Sequence, residues 1–161
     1  VTGAEALIKW PNDIVINGRK ICGILTEMSA QFDYINHIVI GIGINVHNES
    51  FPEELQDRAG SLLLECGKRV HRADLIEAFL EEFERLYAIY LKTEDLSALQ
   101  EEYDQLLVNR GRQVRVLDPK EPFEGKAMGI TKKGELIVDT WESRKLVSSG
   151  EVSVRGIYGY V

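Results

Sequence analysis

The hydrophobic residues of the first 48 positions fall in short runs separated by turn-forming residues, a pattern typical of β-strands. Residues 6–10 and 14–16 are the first two runs, and the Asn17-Gly18 pair after them is a strong hairpin signal. Two longer strands are predicted over residues 20–27 and 35–46. Because hairpins join neighbouring strands, we expect an antiparallel meander, in which the continuous apolarity of residues 38–40 predicts a strand covered on both faces.

Residues 52–108 follow the three-to-four-residue period of helices instead. Pro52 suits the first turn of a short helix. Ser61 is a candidate N-cap for a further helix over residues 62–66, which Gly67 would end.

A longer amphipathic helix is predicted next, because apolar side chains recur three or four positions apart. Asp74 and Glu77 have the spacing of a capping box at its start. Its apolar stripe consists of Leu75, Phe79, Phe83, Leu86, Tyr87 and Tyr90, and a second helix has the stripe Leu96, Leu99, Tyr103 and Leu106. We expect both stripes to face a protein core rather than a cofactor.

From about residue 109 the hydrophobic period returns to two, which indicates strands. The runs lie at residues 114–116, 136–138 and 152–154. Several such strands within about fifty residues predict a small SH3-like β-barrel. The chain is therefore predicted to be an α+β protein, in which residues 1–108 form one domain and residues 109–161 form a second.

The composition is that of a globular protein. Of the 161 residues, 44% are hydrophobic and 28% are charged, and 19 Lys and Arg against 26 Asp and Glu give a net charge of −7. This acidic balance argues against non-specific binding of nucleic acid by the chain. No run approaches the ~18 apolar residues of a membrane span, and no signal segment opens the sequence. We therefore expect no membrane association and a cytoplasmic location.

Cysteine and histidine offer little chemistry in this sequence. Cys22 and Cys66 are too few for a disulfide framework, which predicts reduced thiols. His37, His47 and His71 lie far apart without ligand-like spacing, so no metal site of the structural type is expected.

Three segments carry residues that suit a binding site. In Lys-Trp-Pro-Asn-Asp at residues 9–13, a cation, an amide and a carboxylate stand together, which suits an anionic ligand and a hydrated Mg²⁺ but also an ordinary polar turn. The Arg110-Gly111-Arg112 triplet resembles a phosphate-gripping loop, although its position between helix and strand favours a surface junction.

The third segment is Gly-Ile-Gly-Ile-Asn at residues 41–45. Two glycines inside a β-branched strand indicate the close approach of a ligand or of another backbone, and a β-bulge is the alternative. Gly23 on the preceding strand is a second gap, so the two strands are predicted to share one bare patch. Lys20 lies just ahead of that patch, where it suits a carboxylate or phosphate or is simply solvated.

The Lys-Trp-Pro-Asn-Asp and Gly-Ile-Gly-Ile-Asn motifs, taken together with the Arg19-Lys20 pair and the stretch from Gly23 to Glu27, resemble the biotin–protein ligase family in order and spacing. The ending Gly-Glu-Val-Ser-Val-Arg at residues 150–155 is similar to that family as well. The resemblance implies a class II synthetase-like catalytic domain, a β-meander sheet packed against helices, over residues 1–108. It also implies that residues 109–161 are the SH3-like C-terminal domain.

The resemblance further implies the reaction and its residues. Such a ligase activates biotin with ATP and Mg²⁺ to biotinoyl-5′-AMP and passes the acyl group to a lysine of a biotin carboxyl carrier protein. Lys20 is then the catalytic residue, which contacts the biotin carboxylate and the α-phosphate, while Trp10 braces the turn. The wall against biotin is expected to comprise Lys20, Gly23, Ile24, Leu25, Gly41, Ile42 and Gly43. ATP and Mg²⁺ are assigned to Asn12, Asp13 and Asn45.

The sequence departs from the family at one point. A Gly/Arg-rich adenylate-binding loop belongs upstream of Lys-Trp-Pro-Asn-Asp, and nothing here replaces it. We therefore expect the C-terminal portion of a longer ligase, inactive alone. A homodimer is expected from the family, and operator DNA is a partner only if an upstream helix-turn-helix domain makes the ligase a repressor. The alternatives are a lipoate-type acyl-protein ligase and a catalytically inactive binding or dimerisation fragment.

Overall fold

The computed structural model describes residues 1–150, 153–157 and 159–161. The first antiparallel sheet contains four strands in the order of the sequence: β1 (Leu7–Lys9), β2 (Asp13–Ile16), β3 (Arg19–Ala30) and β4 (Ile35–Ile44). The predicted meander is confirmed. Asn17 and Gly18 both have positive φ, 52° and 77°, as a two-residue hairpin turn between β2 and β3 requires.

Four helical segments follow the first sheet. They are a short 3-10 helix (Glu53–Leu55) and three α-helices, α1 (Leu62–Cys66), α2 (Arg72–Thr93) and α3 (Gln100–Leu106). Ser61 caps α1 as predicted, because its hydroxyl oxygen accepts a hydrogen bond from Leu64 N at 3.1 Å, and Gly67 ends the helix at φ 66°. The predicted capping box at Asp74 is wrong, because α2 already begins at Arg72 and Asp74 lies inside its first turn.

The long helix α2 carries the predicted apolar stripe. Leu75, at its start, packs against the core cluster of the first sheet, but the four aromatic side chains of the stripe do not face a core. The rings of Phe79, Phe83, Tyr87 and Tyr90 stack in a row along one side, with centroids 5.5–6.2 Å apart. Each ring remains between 37% and 48% exposed, so the described residues leave this face of α2 uncovered. The period therefore correctly predicted the helix and its apolar face, while the expected burial of the four aromatic side chains is absent.

A similar correction applies to the far end of the first sheet. Ile38, Val39 and Ile40 are each about half exposed, so β4 is not covered on both faces there. β4 is also the edge strand of its sheet, since it pairs only with β3 among the strands that the structure describes.

The second antiparallel sheet contains five strands, in the spatial order β8-β7-β6-β5-β9. They are β5 (Gln113–Leu117), β6 (Phe123–Ile130), β7 (Leu136–Asp139), β8 (Arg144–Val147) and β9 (Ser153–Gly156). Glu151 and Val152, which the sequence places in the last strand and its motif, lie outside the described residues. The SH3-like assignment of this sheet stays a prediction.

The two sheets are joined through Trp10. This side chain is 2% exposed and belongs to the core cluster of the second sheet, with Val114 and Leu136 among its members. Its indole N–H donates a 2.9 Å hydrogen bond to the carbonyl of Gly134. The loop between β1 and β2 is therefore anchored on the second sheet, while the division into domains at residue 108 stays a prediction.

The structure also bears on two of the simpler expectations. Both cysteines are free thiols, and Cys22 is buried. Among the helices described here, none combines the length and apolar composition that crossing a lipid bilayer needs.

Candidate active site

The site forms where the loop between β1 and β2 meets the start of β3. Asp13 is the first residue of β2, and its carboxylate Oδ1 lies 2.5 Å from Nζ of Lys20 on β3. The β2–β3 pairing shifts by one residue between Ile14 and Val15, a bulge of the kind that redirects side chains next to functional sites. Next to this bulge, the Lys20 side chain extends from β3 to Asp13 on the neighbouring strand β2.

Lys9 is the second cation of the site, and it differs from Lys20 in burial. Its side chain is 5% exposed, whereas that of Lys20 is 41% exposed, and its Nζ lies 3.9 Å from Asp13 Oδ2. Burial lowers the pKa of Lys9, an effect that the charge of Asp13 opposes. One carboxylate thus lies between the ammonium groups of a buried and a half-exposed lysine, and the Lys20 side chain is the more accessible of the two.

Tyr160, near the end of the chain, completes this cluster. Its hydroxyl donates a hydrogen bond to Asp13 Oδ2, and its ring lies under the Lys9 ammonium at 4.3 Å from the centroid. Burial and the bond to Asp13 raise the pKa of Tyr160, which keeps the phenol protonated. Sequence reasoning missed this residue, because no local pattern links positions 147 residues apart.

The glycines of β3 and β4 lie opposite each other. Gly23 pairs with Gly43, and Leu25 pairs with Gly41, so these four residues share one face of the sheet. A Cβ atom on Gly41 or Gly43 would meet nothing closer than 3.7 Å. The protein's own packing therefore does not require glycine at these two positions, and the predicted bare patch is present.

The neighbours Ile24 and Ile42 pair with each other across β3 and β4. Both side chains pack against the core cluster of the first sheet, around Ile21 and Val46. They can therefore meet a ligand on the glycine face only through their backbone. Leu25, in contrast, is 62% exposed on that face.

The two asparagines predicted to bind nucleotide are tied to the backbone. Asn12 Nδ2 donates to the carbonyl of Ile24 at 2.7 Å, and the Ile24 N–H returns a bond to the Asn12 carbonyl at 2.9 Å. Asn45 Nδ2 donates to the carbonyl of Gly60 at 3.0 Å. Asn12 thus lines the cleft beside Asp13, whereas Asn45 fixes the segment after β4 to the loop before α1.

A cleft of about 520 Å³ separates the first sheet from the second. Lys9, Asn12, Asp13 and Leu25 line one side, and Ser149 and Ser153 line the other. The positive charges of Arg155 and Arg58 also act on Tyr160. The Arg110-Gly111-Arg112 triplet does not join this cleft's lining, because it forms an exposed turn in which Gly111 N donates to the carbonyl of Ala127.

Two family models match the ends of this chain. Residues 1–45 match the model described as the biotin/lipoate A/B protein ligase family, and residues 111–155 match that of the biotin protein ligase C-terminal domain. The first match holds Lys9, Asp13, Lys20 and the glycine face, whereas Tyr160 lies outside both matched ranges. The second holds β5 to β8 and the start of β9.

Curated relatives extend the similarity over nearly the whole chain. A bifunctional ligase/repressor BirA of Bacillus spizizenii is 39% identical over 94% of this chain and 47% of its own length. A biotin–[acetyl-CoA-carboxylase] ligase of Mycobacterium tuberculosis is 32% identical over 94% of this chain and 54% of its own length. The chain thus spans about half the length of the curated relatives it matches.

Solved structures give the same result for the fold. The biotin protein ligase of Aquifex aeolicus in complex with biotin and ATP is 29% identical, with a TM-score of 0.79 over 94% of this chain and 62% of that one. The same ligase without ligand gives a TM-score of 0.82 over 94% of this chain and 65% of that one. The matching family models, the relatives and the shared fold together show that this chain belongs to the biotin–protein ligase family.

Proposed function

We propose that this chain forms the part of a biotin–protein ligase active site that contains the catalytic lysine. In the first step, a carboxylate oxygen of biotin attacks the α-phosphorus of ATP, which forms biotinoyl-5′-AMP and releases pyrophosphate. In the second step, a lysine amine of a biotin carboxyl carrier protein attacks the acyl carbon, which forms an amide and releases AMP. The observation that carries the proposal is the Lys20 ammonium, held by Asp13 beside the glycine face of β3 and β4.

The electrostatic task of the first step matches this arrangement. Two anions, the carboxylate and the α-phosphate, must approach each other, so catalysis depends on fixed positive charge and on positioning. Lys20 is oriented by Asp13 and yet 41% exposed, which allows its ammonium to contact both anions. We assign Lys20 to neutralising charge in the transition states of both steps.

The glycine face has the shape that a flat, fused ring system needs. Without Cβ atoms at Gly41 and Gly43, a ligand can lie directly on the backbone of β4, next to Gly23, whose open side is occupied by the Lys20 side chain. We assign this face to the biotin rings, with the Leu25 side chain and the backbone of Ile24 and Ile42 as its remaining wall.

We assign ATP to the cleft between the two sheets, and Mg²⁺ is proposed to enter with it as MgATP. No cluster of three or more His, Cys, Asp or Glu suited to a metal ion occurs within residues 1–150, 153–157 and 159–161. Mg²⁺ keeps much of its water and readily binds substrate phosphates, so it does not need such a cluster. We assign the orientation of the complex to Asn12, Asp13 and Asn45, with the charge of Arg155 favouring phosphate from the second sheet.

Within residues 1–150, 153–157 and 159–161, the outer edge of β4 has no partner strand, which supports the expected homodimer, since an unpaired strand edge is a template for a second strand. Its test is the molar mass of the full-length protein in sedimentation equilibrium with and without biotin. A monomer under both conditions would remove the dimer from the proposal.

The deciding experiment is biotin-dependent exchange of pyrophosphate into ATP by the full-length protein. We expect Lys20→Ala to lower kcat by about 100-fold or more, the loss typical of removing one preorganised charge stabiliser. Lys132→Ala is the matched control, because Lys132 is an exposed lysine in the turn between β6 and β7 and pairs with Asp95, which follows α2. Exchange that depends on lipoate instead of biotin would support the alternative acyl ligase, and an unchanged rate in Lys20→Ala would remove Lys20 from the mechanism.

A further inference from the structure

The last residues of the chain fold back onto the active-site lysines. Tyr160 donates its hydroxyl hydrogen to Asp13 Oδ2, while Lys20 holds the other oxygen of the same carboxylate at 2.5 Å. Asp13 is only 8% exposed, so it has little access to water as a replacement partner. The orientation of Asp13, and through it that of Lys20, therefore depends on a residue of the tail, which we define as residues 159–161, after β9.

The tail is also seated by two glycines outside the cluster. A Cβ atom on Gly156 would collide with the main chain of Val161, although Gly156 does not have the positive φ that demands glycine. Gly18, in the hairpin turn between β2 and β3, has the side chain of Val161 against it, 3.3 Å from where a Cβ would lie. The tail thus contacts both sheets, and these contacts hold Tyr160 next to Asp13.

From these contacts we propose that Tyr160 is a positioning residue of the ligase: its hydroxyl fixes the Asp13 carboxylate so that the Lys20 ammonium is presented to the reacting anions. The inference rests on the proposed function and adds to it a residue that does not touch the substrates. Through Asp13 and Lys20, the tail that follows the second sheet thereby takes part in the reaction proposed for the first sheet.

The charges around Tyr160 agree with this role. Lys9 lies over its ring, and Arg155 and Arg58 also act on it, so Asp13 is the one carboxylate among the described residues that act on Tyr160. Without a second, neutral donor, Asp13 is free to turn toward Lys9, which lies 3.9 Å from Oδ2. Such a turn withdraws the partner that orients Lys20.

The test uses the full-length protein with Tyr160→Phe, which keeps the ring over Lys9 and removes only the hydroxyl. We expect kcat of biotin-dependent pyrophosphate exchange to fall about tenfold, with less than a twofold change in the KM for biotin. In an Asp13→Ala background the same substitution should have no further effect, because both act through one carboxylate. Tyr87→Phe on α2 is the matched control and should exchange like the wild type.

Gly156→Ala provides a second variant that disturbs the tail without touching the site, and it should reproduce the loss of kcat. Unfolding midpoints are measured for all variants. A loss of kcat without a lower midpoint indicates a positioning effect, whereas a loss that follows a lower midpoint indicates a structural one. Equal kcat in Tyr160→Phe and wild type would overturn the inference while leaving the proposed function intact. Additive effects of Tyr160→Phe and Asp13→Ala on kcat would also overturn it. A wild-type protein without biotin-dependent exchange would overturn the proposed function itself, together with this role of Tyr160.

Discussion

The side chain of Lys20 lies directly against the bare backbone of Gly23. A Cβ atom on Gly23 would sit 2.9 Å from both Cε and Nζ of Lys20, closer than such atoms pack in proteins. The glycine therefore serves the lysine as well as the glycine face, because it leaves the space through which Lys20 reaches Asp13.

Gly23→Ala is expected to displace the Lys20 ammonium from Asp13 even when no ligand is bound. We predict that kcat of pyrophosphate exchange falls about tenfold or more, because a small misplacement of a charged group has a large effect on the rate. The free energy of unfolding should change by less than about 1 kcal/mol, since the flexible end of Lys20 can move aside. Steady-state exchange and urea unfolding measure the two effects.

Gly41→Ala provides the contrast. Its Cβ would lie 3.7 Å from the Leu25 carbonyl, an ordinary distance, so the free protein accommodates it. We expect kcat to be retained while the KM for biotin rises, because the new methyl group stands where the ligand is proposed to lie. An unchanged KM for biotin would place the biotin rings away from this face.

Local signals account for the elements that the sequence predicts correctly. The Asn17-Gly18 turn fixes the register of its hairpin, and Ser61 and Gly67 act on the helix that they flank. The juxtaposition of Gly23 and Gly43 could be expected because a short connection restricts how β3 and β4 pair.

Features that depend on distant parts of the chain escape such reasoning. The apolar period of α2 predicts which side is hydrophobic, but nothing local specifies whether another segment covers Phe83. Tyr160 carries no motif at all, and its contact with Asp13 arises only when the second sheet is placed against the first. Similarly, the hydrogen bond from Trp10 to Gly134 could be identified only from the structure, because the two residues lie far apart in the sequence.

Trp10→Phe tests how strongly that anchor holds the two sheets together. The substitution removes a partly buried 2.9 Å hydrogen bond to Gly134 and part of a side chain that is 2% exposed. We predict a loss of about 2 kcal/mol in the free energy of unfolding, which combines an unsatisfied carbonyl with a small cavity. Urea unfolding followed by circular dichroism measures it.

Trp141→Phe is the natural control for Trp10, because Trp141 is fully exposed on the second sheet. Its replacement should change the free energy of unfolding by less than about 0.5 kcal/mol. If the two variants were equally stable, the indole of Trp10 would have no anchoring role.

Ser61→Ala tests the cap of α1 and its link to the end of β4. Ser61 is fully buried, its oxygen accepts from Leu64 N, and its hydroxyl donates to the Asn48 carbonyl at 2.7 Å. We predict a loss of about 1–2 kcal/mol in the free energy of unfolding, the upper range for a helix N-cap, because both bonds are lost in a buried place. The exposed Ser148→Ala serves as the comparison in the same urea titration, and a cost no larger than that of Ser148→Ala would contradict the capping role.

The ionisation of Tyr160 gives a prediction that concerns pH. Its pKa in the folded protein is raised above the ordinary value of 10.0, because burial and the bond to Asp13 favour the neutral phenol. Up to about pH 10 both folded and unfolded chains keep this proton, so the stability that the hydroxyl contributes is fully present. Above pH 10 the unfolded chain releases the proton first, and the contribution falls by about 1.4 kcal/mol per pH unit until the folded pKa is reached. The difference in free energy of unfolding between wild type and Tyr160→Phe, measured in urea from pH 8 to 11, should therefore be level up to about pH 10 and then decrease. A difference that stays constant up to pH 11 would show that the phenol is not held in its neutral form by Asp13.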